Sequence, residues 1–186
     1  MPTFYRSYAD RLSALLAGFD WGCLMALTRA VEETRLRAGR IFLCGNGGSA
    51  ANAVHIANDL LYAPVVPAVR ADALSANIAL VTCIANDVAY EEIFARQLAA
   101  QAGRGDLLIA LSGSGDSENI VRAIDRARAL GAKSAAIVGF DGGRARELAD
   151  VVVHFPVDDM QLAEDLQLVV GHMLARRLAR GGGEGG

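Results

Sequence analysis

The residues Cys44-Gly45-Asn46-Gly47-Gly48-Ser49 follow the apolar segment Arg40-Ile41-Phe42-Leu43 and lead into a helix-like stretch that contains His55 and Asp59. Glycines so close together cost backbone entropy, so an ordered chain must gain something from their freedom of φ. A strand, a glycine-rich turn and a helix start bring backbone N–H groups and the positive end of a helix dipole to one spot. Such a spot suits an anion, most often a phosphate. The plainer reading of the same residues is a tight strand-to-helix turn without a ligand. A second loop, Ser112-Gly113-Ser114-Gly115-Asp116-Ser117, follows the apolar run Leu107–Leu111 and precedes a helix from Glu118. Its serines can each donate to a phosphate oxygen without burying a cation. A serine and glycine loop alone is usually a helix cap; two at one sheet edge point to a ligand.

Both loops need elements behind them, and the hydrophobic pattern supplies these. Residues 4–38 read as helical, with room for a break near Gly18–Asp20, because Leu12, Leu15, Leu16 and then Leu24, Leu27, Val31 recur at helical spacing. Apolar strand-like runs follow at Ile41–Cys44, Ala68–Asp72, Leu107–Leu111, Ser134–Val138 and Val151–Phe155. Between them lie helical stretches at Ser49–Tyr62, Asn77–Ala85, Tyr90–Ala102 and Ser117–Leu130, a shorter candidate at Gly143–Ala149, and a last helix over Asp158–Arg180. Short apolar strands alternating with helices predict βαβ units, hence an α/β fold of three layers with a five-stranded parallel sheet. In such sheets ligands sit beyond the carboxyl ends of the strands, where both loops fall.

The chain has 186 residues, 53 % of them hydrophobic and 21 % charged, which suits one folded domain and excludes a disordered chain. A net charge of −3 and a pI near 5.6, without a basic stripe, argue against a nucleic-acid partner. No apolar run approaches a membrane span and the N-terminus has no signal-peptide core, so no membrane partner and a cytoplasmic location are expected. Cys23, Cys44 and Cys83 fit neither a disulfide framework nor a zinc knuckle and read as reduced thiols, Cys44 as packing. His154, on a strand without a carboxylate partner, reads as structural. The tail 181–186 is glycine-rich and is expected to be disordered.

Taken together, C-G-N-G-G-S-A-A-N-A-V-H at 44–55, A-N-D at 85–87 and L-S-G-S-G-D-S at 111–117 resemble the sugar isomerase (SIS) fold, and within it the phosphoheptose isomerases. The resemblance runs through residues 1–180 as a single SIS domain, with 4–38 as a helical oligomerisation arm. It implies an aldose–ketose isomerisation of sedoheptulose 7-phosphate to D-glycero-D-manno-heptose 7-phosphate through an enediol or enediolate. It also implies a homotetramer with sites at subunit interfaces, a phosphorylated sugar as substrate and no nucleotide cofactor. Phosphate and sugar would be held by Asn46, Gly47, Gly48, Ser49, Asn86, Asp87, Ser112, Gly113, Ser114 and Ser117; Asp87 reads equally well as a turn cap. The resemblance assigns catalysis to Asp59, His172 and Glu164, and a zinc or similar divalent ion to His55, Asp59, Glu164 and His172. His55 and Asp59 are i and i+4 on one helix face, and Glu164 and His172 are i and i+8 on nearly one face of the last helix. Two imidazoles and two carboxylates are a credible tetrahedral set.

The chain departs from the family pattern at several of these positions. Asp59 is one methylene shorter than the family's glutamate, and Glu164 replaces a neutral glutamine. Gly113 stands where the family has a threonine, Asn52 where it usually has an aspartate, and the loop 60–67 carries no arginine. The Ala50-Ala51-Asn52 spelling is closer to a non-enzymatic relative that binds the replication initiator DnaA. A non-catalytic binding role and an isomerase for another phosphosugar are the alternatives that these departures keep in view.

Overall fold

A computed structural model describes residues 2–180; the tail expected to be disordered lies outside them. Two helices, α1 (Pro2–Ala17) and α2 (Gly22–Leu36), open the chain. Then come β1 (Ile41–Cys44), α3 (Gly47–Tyr62), β2 (Ala71–Ala73), α4 (Ile78–Asp87), a 3₁₀ turn at Tyr90–Glu92 and α5 (Ala95–Gln101). The second half is β3 (Leu107–Ser112), α6 (Glu118–Ala129), β4 (Lys133–Val138), α7 (Gly143–Leu148), β5 (Val151–His154) and α8 (Met160–Ala179). The five strands pair in parallel in the order β2-β1-β3-β4-β5.

Strand periodicity separates the core into two layers. Ile41, Leu43, Leu107, Ile109 and Leu111 face α2, α3 and α8. Phe42, Cys44, Leu108 and Ala110 face the other way, toward α4, α5, α6 and α7. Helices thus cover both faces of the sheet, which is why its strands read as unbroken apolar runs. The order also creates a switch point: the chain leaves β1 toward β2 and returns to place β3 on the other side of β1. The crevice between the carboxyl ends of β1 and β3 is where open parallel sheets bind ligands.

Three local differences from the sequence reading have physical causes. Ala68 and Val69 are apolar but precede the ladder, so β2 covers Ala71–Ala73 rather than Ala68–Asp72; its pairing starts where Ile41 N donates to the Arg70 carbonyl. The helix expected over Tyr90–Ala102 is split, because Ile93 and Phe94 turn inward and are buried. Asn86 and Asp87 belong to the last turn of α4 instead of following the helix.

The N-terminal helices break at residues 18–21, and the axes of the pair bend by 74°. Phe19 stacks on Phe155 with ring centroids 4.0 Å apart, tying the break to the end of β5. Among the described residues no single helix is long and apolar enough to cross a membrane. From the break, α1 reaches back to α8: the Tyr8 hydroxyl donates to Asp165 Oδ2 at 2.6 Å, and Arg11 pairs with Asp159, the N-cap of α8, at 2.9 Å. Asp165 accepting that proton pushes the Tyr8 phenol up to about 12. The folded-state value is raised, so the bond contributes fully below the ordinary phenol range and is lost as pH rises through about 12. Tyr8→Phe is expected to cost about 1 kcal/mol at neutral pH, lowering the melting temperature by roughly 2–4 °C. An unchanged melting curve would show that α1 docks through its apolar face alone.

Candidate active site

The site is built where β1 and β3 end. Asn46 is the N-cap of α3, yet its side chain makes no capping bond. Its Oδ1 instead accepts from Asn119 Nδ2 and from the Tyr90 hydroxyl, both at 2.9 Å, while its Nδ2 donates to Asn119 Oδ1 at 2.9 Å. This amide exchange ties the first turn of α3 to the first turn of α6. It also leaves the opening amides of α3 without a side-chain cap, in keeping with the orphan donors that every helix start presents.

The second loop is braced from behind. Ser112 Oγ accepts from Gly115 N at 3.0 Å and Ser114 Oγ from Asp116 N at 3.3 Å. The start of α7 supports it further: Ala145 N donates to the Gly115 carbonyl at 2.9 Å and Arg144 N to Asp116 Oδ1 at 3.0 Å. Gly115 has φ of +75°, and a Cβ there would fall on the Gly142 carbonyl, so only glycine fits. Sequence reasoning did not single out Arg144; its guanidinium also holds the Asp116 carbonyl and Glu118.

Between the loops lies a pocket of about 80 Å³ lined by Asn46, Ser49, Leu111, Ser112, Gly113, Ser114, Ser117, Met160 and Glu164. It is of a size to take a small anion, and four serines are among its lining residues. A Cβ at Gly113 would lie 2.8 Å from Met160 Cε and closer still to Sδ. Met160 therefore occupies the space into which a threonine at 113 would project. Gly47 and Gly48, the first residues of α3, are not among the lining residues, although Glu164 of the lining lies against Gly48. Asn86 and Asp87 do not line the pocket; the Asn86 amide donates to Asp87 Oδ1 at 2.7 Å and Cys83 Sγ to Oδ2 at 3.3 Å. Cys44 is fully buried, and burial raises its thiol well above the ordinary range, which fits packing.

Farther along α3 and α8, three groups converge. His55 and His172 face each other with Nε2 atoms 3.0 Å apart, and Asp59 Oδ2 lies 3.4 Å from the first and 3.7 Å from the second. The two rings are about half exposed, at 49 %, and the carboxylate is 27 % exposed, so solvent and a substrate can reach them. At this distance one ring nitrogen can donate to the other, or both can turn their lone pairs to a shared cation. Zinc bonds near 2.0–2.1 Å in a tetrahedron set ligand atoms about 3.3 Å apart. The observed separations fit that requirement, and these are the residues able to hold a divalent ion.

Glu164, expected as the fourth ligand, stands outside this convergence. Residues i and i+8 share a face but lie about 12 Å apart along a helix axis. The α8 helix runs beside α3, so Glu164 meets the start of α3 while His172 meets His55 farther along. A Cβ at Gly48 would lie 2.5 Å from Glu164 Oε1 and closer to Oε2, which puts the carboxylate directly on the rim of the phosphate-sized pocket. Asn52 ties the helices between these points, donating to the Glu164 carbonyl at 2.9 Å and to Gln167 Oε1 at 3.3 Å.

Comparison with known proteins bears on the family and the fold. The SIS domain family model matches residues 3–139. A phosphoheptose isomerase of Chlorobaculum parvum is 38 % identical over 172 residues, covering 90 % of this chain and 82 % of the relative. Among solved structures, a phosphoheptose isomerase from Francisella tularensis superposes with a TM-score of 0.89 at 26 % identity, covering 96 % of each chain. One from Neisseria gonorrhoeae has the same TM-score and coverage at 24 % identity, a likeness of fold. With its fold, its two loops and these likenesses in agreement, the chain belongs to the SIS domain family, among the phosphoheptose isomerases.

Proposed function

We propose that this chain interconverts sedoheptulose 7-phosphate and D-glycero-D-manno-heptose 7-phosphate, a step of bacterial heptose synthesis. The observation that carries the reading is the spacing of two sites along one helix. Ser49 lines the anion pocket, and His55 opens the histidine–aspartate cluster six residues later, about 9 Å along the axis. That span matches an extended seven-carbon sugar phosphate, with its phosphate at one end and its reacting carbons at the other.

In this mechanism Ser49, Ser112, Ser114 and Ser117, with the opening amides of α3, bind the phosphate. The Asp59 carboxylate removes a proton from C1 of the ketose. His172 gives a proton to the oxygen on C2, and the enediol forms. The proton then returns from Asp59 to C2 while that on the C1 oxygen leaves to His172, which yields the aldose and restores both groups. Such positioned proton transfer contributes roughly 10²–10⁴-fold. If a divalent ion such as zinc were held by His55, Asp59 and His172, it would supply Lewis-acid polarisation of the carbonyl in place of the His172 proton, and Asp59 would keep its second oxygen for the proton on carbon.

The assembly assigned with this function is a cytoplasmic homotetramer. Supporting it, the N-terminal arm exposes Phe4, Tyr5 and Met25, apolar groups for which an oligomer offers a covered place. The function is tested by incubating the protein with sedoheptulose 7-phosphate and zinc in D₂O and following the carbons by NMR. A new aldose phosphate carrying deuterium at C2 is expected. No product from folded protein after a long incubation would overturn the assignment.

A further inference from the structure

The pocket that suits a phosphate already contains a negative charge of the protein's own. Glu164 comes from α8, yet its carboxylate lies on the first turn of α3, against Gly48. That turn has no acidic residue and no side-chain cap, because the Asn46 oxygen is committed to Asn119 and Tyr90. A helix start attracts an anion through its free amides and its dipole. Here a carboxylate delivered from a neighbouring helix stands beside such a start, against Gly48, inside a pocket also lined by Ser49, Ser112 and Ser114.

We propose that Glu164 is a specificity-determining residue that acts as a resident anion in the phosphate subsite, which a phosphate monoester must displace or repel. The inference rests on the phosphosugar reading above and deepens it. A ligand that offers a phosphate alone has to work against this charge with nothing to offset it. A phosphosugar whose carbonyl end also engages the histidine–aspartate cluster has a second set of contacts to do so. Glu164 thereby weakens binding of inorganic phosphate and small phosphate esters relative to the full-length substrate. Gly48 is what lets the carboxylate lie there, since any side chain at 48 would occupy the same space.

The test is calorimetric titration of inorganic phosphate into the full chain and into Glu164→Gln, with equal metal contents verified by elemental analysis. Glutamine keeps the shape and removes the charge. Binding at least tenfold tighter in Glu164→Gln, about 1.4 kcal/mol, is expected, and adding Ser114→Ala to that variant should weaken it again. Glu164→Ala should tighten binding in the same direction, which separates the charge from any new amide contact. Equal affinities, or weaker binding in both variants, would overturn the role given to Glu164 while leaving the phosphate subsite standing. Absence of phosphate binding in every variant would overturn the subsite, and the resident-anion role with it.

Discussion

Asp59→Asn is expected to lower kcat for sedoheptulose 7-phosphate by at least about a thousandfold, within the range that a lost general base removes. Asparagine keeps the size of the side chain and can still meet His55 and His172, which now stand 3.4 and 3.7 Å from Oδ2. What it lacks is the capacity to accept a proton from carbon. The melting temperature should change little, because Asp59 is partly exposed and lies outside both apolar clusters. The carboxylate is also a ligand in the proposed metal set, so zinc measured by competition with a chelating dye should bind more weakly in the same variant. Asp59→Glu is the informative companion. It restores the charge on a side chain one methylene longer, and a displacement of about an ångström costs up to roughly 10²-fold. Activity in the glutamate variant well above that of the asparagine variant would assign the effect to the carboxylate. Asparagine retaining a tenth of the wild-type rate would remove Asp59 from the chemistry and turn attention to Glu164.

What the sequence made legible follows from how local each signal is. Buried parallel strands read as apolar runs, so β1 was located to the residue and β3, β4 and β5 to within one residue at each end. The edge strand β2 was displaced because hydrogen bonding defines it, and apolarity does not: Asp72 within it is exposed while Val69 before it is buried. The loops at 44–49 and 112–117 were legible through composition alone. Asn46 was expected to bind substrate, and nothing local shows that its side chain is held by residues 44 and 73 positions away. Arg144 and Met160 were invisible for the same reason, since each acts on a loop that only the fold brings near. Glu164 shows a different limit. Its shared face with His172 could be read from the spacing, but which part of α3 it would meet depends on how the two helices lie together.

That helix pairing is the subject of the last expected result. Gly171→Val should separate α3 from α8, destabilise the fold by about 1–3 kcal/mol as overpacking does, and weaken zinc binding. Helix propensity works slightly in favour of the variant, because glycine is the poorer helix former. The packing term decides the outcome. A Cβ at Gly171 would lie 2.7 Å from Ile56 Cδ1 and closer to Cγ1, at a point where both residues are buried. Ile56 follows His55 and Gly171 precedes His172, so any shift that relieves the clash acts directly on the 3.0 Å approach of the two rings. A thermal melt should show a fall of roughly 2–4 °C for each kcal/mol lost, and the zinc titration a loss of affinity. Adding Ile56→Ala to the variant makes room for the valine and should recover part of both losses, a coupling that two independent sites would not show. If the valine variant melts and binds zinc as the wild type does, the close crossing at Gly171 is not what aligns the histidines. In that event the alignment must come from the Asn52–Glu164–Gln167 bonds one turn earlier.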